Sequence, residues 1–156
     1  MKDMKRRKRA AVALALCMVA ALAACGGDPA DPNETAQEVS DMNMKIGDTP
    51  VSVAWEDNGS VDALKRLCAE GPLTIRLHMY GGFEQVGDIG ASLPRDDAQT
   101  TTQAGDIVLY SGDQMVVFYG SNAWAYTRLG HITDQTADGM RALLSNGDVT
   151  VTLTTE

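Results

Sequence analysis

The stretch from Gly105 to Ile132 constrains this chain more than any other. Gly105-Asp106-Ile107-Val108-Leu109-Tyr110 leads into the turn Ser111-Gly112-Asp113-Gln114, and Met115-Val116-Val117-Phe118-Tyr119 returns. Two apolar runs rich in β-branched and aromatic residues, joined by a short Ser/Gly/Asp turn, predict a β-hairpin. Both runs are nearly continuous in apolar character, which places the pair centrally in a small barrel or sandwich. Gly120-Ser121-Asn122 then bends the chain into Ala123–Ile132. The whole stretch holds five of the eight Phe, Trp and Tyr residues. It is therefore the expected core and the expected wall of any pocket.

The remaining elements follow from period and punctuation. Met42, Met44 and Ile46 alternate with polar residues as a first strand, and Val51–Trp55 alternates again beyond a Gly47-Asp48-Thr49-Pro50 turn. Asp57-Asn58-Gly59-Ser60 offers capping side chains to a helix that sets Val61, Leu64, Leu67 and Cys68 on one face. Gly71-Pro72 ends it. Leu73–Tyr80 alternates strictly, with Thr74, Arg76, His78 and Tyr80 on the face away from Leu73, Ile75, Leu77 and Met79. Gly81–Pro94 carries four glycines and reads as a tight bend without regular structure, and Arg95–Ala104 reads as a surface loop. Ala137–Leu144 is a second short helix and Val149–Thr154 a closing strand. The sum is mainly β: a small closed barrel with two short helices.

The N-terminus carries an address. Basic residues between Lys2 and Arg9 precede Ala10–Ala24, an apolar run of fifteen residues, shorter than the about 20 a membrane span needs. Basic-then-apolar order is that of a secretory signal. The run closes Leu22-Ala23-Ala24-Cys25, which looks like a bacterial lipobox. Residues 1–24 are thus expected as a lipoprotein signal peptide and Cys25 as the lipidated residue. Residues 25–41, rich in Gly, Asp, Pro and Asn, are expected as a flexible tether, and 42–156 as one domain. The partner so implied is a membrane, reached from its extracytoplasmic face. Without residues 1–24 the chain keeps seven of thirteen basic groups and twenty of twenty-one acids, a net charge of −13. Such a surface repels nucleic acid. Cys68 then stands alone and reads as a small core residue.

The elements Tyr80-Gly81-Gly82-Phe83-Glu84-Gln85-Val86-Gly87-Asp88, Ser92-Leu93-Pro94, Gly105-Asp106-Ile107-Val108-Leu109-Tyr110 and Phe118-Tyr119-Gly120-Ser121-Asn122-Ala123-Trp124-Ala125-Tyr126-Thr127-Arg128-Leu129-Gly130 resemble the bacterial cyclophilin-like domain family. The resemblance covers about residues 42–155 and implies a minimal cyclophilin-type barrel. Prolyl isomerases of this fold keep an Arg five residues before the Phe of their turn and a Gln three after it. Laid on Gly82-Phe83, those positions fall on His78 and Val86, and neither matches. An offset register brings in Arg76, and Arg128 is a candidate from another strand.

The candidate ligand-binding residues are Phe83, Glu84, Tyr119, Ser121, Asn122, Trp124, Tyr126 and Arg128. Glu84 follows an aromatic in a glycine-rich bend, where backbone is open to close approach; its bland alternative is a solvent-facing or Arg128-paired carboxylate. The aromatics are equally suited to a groove or to barrel core. No spacing suggests a metal site, a phosphate loop or a nucleophile elbow, and no cofactor is implied. The expected function is a membrane-anchored extracytoplasmic binding domain for a peptide or small molecule, without isomerase activity. The alternatives are a prolyl isomerase with a rearranged site and a purely structural envelope protein.

Overall fold

The computed structural model describes residues 41–156. The leader, the lipidation of Cys25 and all but the last residue of the tether lie outside the described residues. The strands are β1 (Met42–Ile46), β2 (Thr49–Val51), β3 (Val53–Trp55), β4 (Leu73–Tyr80), β5 (Glu84–Asp88), β6 (Ala98–Thr101), β7 (Asp106–Tyr110), β8 (Gln114–Phe118), β9 (Ala123–Ile132) and β10 (Val149–Thr155). The helices are α1 (Gly59–Ala69) and α2 (Ala137–Leu144). Strands pair antiparallel in the order β2-β1-β10-β4-β5-β8-β7-β9-β3. The two ends of that order, β2 and β3, are halves of one extended run broken only at Ser52. The first half pairs β1 and the second pairs β9, so a single stave closes the barrel. This is the small mainly-β barrel with two helices that the alternation predicts.

The predicted hairpin is β7–β8. Its turn needs Ser111 and Gly112 at positive φ, 57° and 89°, matching the right-handed strand twist. Along β8 the side chains divide: Met115 and Val117 join the barrel interior with Ile107, Leu109, Leu129 and Val151, while Val116 and Phe118 point outward with Val108 and Tyr126. Both faces are apolar because both are covered, and this is why the run reads as continuous rather than alternating. The helices close the interior. Asn58 caps α1, accepting from the Ser60 and Val61 amides at 3.1 and 3.0 Å, and α1 buries Val61, Leu64 and Cys68. α2 buries Met140 and Leu144, and its last carbonyl accepts from the Gln85 Nε2 at 2.7 Å.

Two expectations are corrected. Gly81–Pro94 is not irregular: it contains β5, which pairs on both sides, His78 with Val86 and Val86 with Val116. Its glycines serve the sheet. Gly81 and Gly82 turn the chain at φ 62° and 75°, and Gly87 lets the β4 backbone pass, since a Cβ there would strike the Arg76 carbonyl. Arg95–Ala104 is not all loop: β6 pairs with the first half of β9, Ala98 with Tyr126 through Thr101 with Ala123. Its polarity reflects a strand largely exposed to solvent.

Candidate functional site

The two halves of β9 do different work. Thr127–His131 pairs with β7 inside the barrel wall, whereas Ala123–Tyr126 pairs with β6 and carries Trp124 and Tyr126 to the outer apolar face. The register shift between Ile107 and Val108 marks the point where the strand changes course. Tyr126 stacks edge-on against Phe118 at 5.8 Å and against Tyr110 at 6.1 Å between ring centroids. Tyr110 and Tyr126 wall a cavity of about 400 Å³ on the outside of the barrel. β4 contributes Tyr80, β5 Glu84 and Val86, β7 Tyr110, β8 Gln114 and Val116, and β9 Trp124 and Tyr126, with Asn122 just ahead of it. Asn122 donates from Nδ2 to the Tyr126 hydroxyl at 3.0 Å, fixing the phenol.

Glu84 is the unusual member. It lies cross-strand from Tyr80 on one side and Phe118 on the other. It is only 6% exposed, and its Oε2 is buried without a hydrogen-bond partner. Burial pushes its carboxyl up to about 7. The Tyr126 phenol is raised as well, first by its own burial and then by the Glu84 charge. No Lys, Arg or His lines this cavity.

Of the eight predicted residues, Glu84, Asn122, Trp124 and Tyr126 meet in the cavity. The other four do not line it. Phe83 packs beneath it against the outer apolar cluster, and its carbonyl accepts from the Tyr119 and Gly120 amides, both at 2.9 Å. Tyr119 turns into the barrel interior. Ser121 donates to the Thr102 carbonyl at 2.6 Å and ties a turn. Arg128 does not pair with Glu84: it reaches Glu56 at 3.2 Å and the buried Asp106 at 3.3 Å, where His131 also bonds Asp106 at 2.8 Å. Residues missed were Tyr80, Val86, Tyr110, Gln114 and Val116. Alternation did put Tyr80 outward, but it could not show which strands would stand beside it.

The positions an isomerase would use are also placed. His78 bonds Asp148 at 2.8 Å and Arg76 shares that side groove, so neither enters the cavity. Val86 sits in the wall of the cavity, where a carboxamide was the expectation of an active enzyme. A larger hollow of about 840 Å³ lies between β1, β2, β3 and β10, but none of the buried unpartnered polar atoms lines it. Among the described residues no three His, Cys, Asp or Glu side chains cluster as metal ligands would.

A family model described as a cyclophilin-like family matches residues 44–154. No curated protein and no solved structure matches the chain.

Proposed function

The chain belongs to the cyclophilin-like family, and from that premise we propose that it is a lipid-anchored extracytoplasmic binding domain that holds a peptide or small ligand without isomerising it. The observation that carries the reading is the outer cavity, in which a buried unpartnered carboxyl is ringed by aromatic side chains. Pockets that combine apolar walls with a few convergent polar groups are the usual form of a binding site. Against catalysis stands the chemistry. Rotation about a prolyl bond faces a barrier of about 18–20 kcal/mol, and no guanidinium faces the cavity to polarise the amide. One observation favours the second reading, a rearranged isomerase: the Gln114 carboxamide does line the cavity.

A protease-coupled assay on a prolyl tetrapeptide separates the two. The binding reading expects the uncatalysed rate, together with a saturable change in Trp124 fluorescence on titrating ligand peptides. Acceleration that disappears in Gln114→Ala would establish the isomerase instead.

A further inference from the structure

We propose that this cavity recognises an alkylammonium group, seated on the Glu84 carboxylate and caged by the rings of Tyr80, Tyr110, Trp124 and Tyr126. This deepens the binding reading above and rests on it. Three observations converge. First, the cavity holds one acid and no base, so an anion meets no counter-charge there. Second, the acid is buried with an orphaned oxygen. A desolvated carboxylate is costly unless paired, and within the described residues no cation pairs it. With no such cation, the carboxyl either keeps its proton or takes a cation from outside. Third, the described residues expose four large apolar side chains, and three of them, Tyr80, Tyr110 and Trp124, line the same cavity as this carboxylate. Electron-rich ring faces are the surfaces that attract a cation carrying apolar substituents.

Competing ligands fit less well. A single carboxylate is too few for a hard metal ion, which takes six or more oxygens. A purely apolar ligand would deepen the desolvation of Glu84 and return nothing. The volume of about 400 Å³ suits a lysine side chain, a free amine or a small quaternary ammonium. The titratable groups that share the cavity with Glu84 are the phenols of Tyr80 from β4, Tyr110 from β7 and Tyr126 from β9. The carboxyl, pushed up to about 7, must lose its proton to take the cation, so binding strengthens as pH rises.

The chain contains two tryptophans, so 5-fluorotryptophan labelling yields two fluorine resonances. Trp124→Phe identifies the one at the cavity. The probes are n-butylammonium, tetramethylammonium and acetyl-lysine-methylamide, with n-butanol as neutral control. The cations are expected to shift the Trp124 resonance saturably, about tenfold more tightly at pH 8 than at pH 6. In Glu84→Gln the affinity is expected to drop about tenfold at pH 8, and the pH dependence to vanish. Tyr80→Leu, at an exposed position, is expected to weaken the cations about threefold and leave n-butanol unchanged. Tightest binding of the lysine amide assigns a peptide side chain; tightest binding of tetramethylammonium assigns a quaternary headgroup. If n-butanol matches n-butylammonium, or Glu84→Gln keeps full affinity, the ammonium assignment fails and the binding pocket stands. If no probe moves Trp124, both fail.

Discussion

At Glu84 a carboxyl sits between Tyr80 and Phe118 with one oxygen unpartnered, and this has a consequence for stability. Its folded value is about 7 against an ordinary 4.5. A raised carboxyl favours the folded state fully below 4.5, and that contribution is lost as pH rises through 7. The loss amounts to about 3 kcal/mol by about pH 8, since each pKa unit is worth about 1.4 kcal/mol. Gln cannot titrate, so the stability of Glu84→Gln relative to the parent should climb by about that amount between pH 4 and pH 8. Urea midpoints across that range check it; a flat difference would mean that the carboxyl is solvated. The candidacy of Glu84 was legible in the sequence, because an acid behind an aromatic in a glycine-rich stretch is exposed to close approach. Its lack of a partner was not. Arg128 was available on paper, but the register of β9 hands it to Glu56 and to Asp106, a residue the sequence reading left without a role.

Among the elements, β5 carries the clearest lesson. Four glycines in Gly81–Pro94 look like the absence of a strand. In fact Gly81, Gly82 and Gly90 turn the chain at positive φ, and Gly87 marks where two backbones come close. Gly87→Ala should cost about 3 kcal/mol or more, because the added methyl meets a backbone carbonyl that cannot move aside. Gly59→Ala, at the start of α1, is the control. Its nearest non-local neighbour is the Pro94 Cβ at 3.9 Å, and alanine has the better helix propensity, so stability should hold or rise. Chemical unfolding of the two variants compares them directly; equal effects would remove the close-approach argument. β6 escaped detection for a different reason. It is a polar edge strand whose partner is the first half of β9, so no local alternation of apolar residues announces it.

On the scale of the whole molecule, the chain beyond residue 24 carries a net charge of −13, which favours cationic ligands at long range and disfavours nucleic acid. No helix among the described residues is long and apolar enough to cross a membrane. The proposed attachment rests on Cys25. Metabolic labelling with tritiated palmitate should mark the parent protein and fail to mark Cys25→Ser, since a hydroxyl does not form the thioether; an unlabelled parent would end the anchoring proposal. Sequence alone determined the class of fold here, because two-residue alternation, helix caps and turn residues act over a few neighbours and survive being read one segment at a time. It also determined which stretches would be rich in aromatic walls. Only the tertiary structure decided that β4, β5, β7, β8 and β9 each bring one or two side chains to the same cavity. Only it removed Tyr119 and Arg128 from that cavity and stripped the water from Glu84. Register, sheet closure and desolvation are long-range properties: they arise when distant segments meet, and no local pattern encodes them.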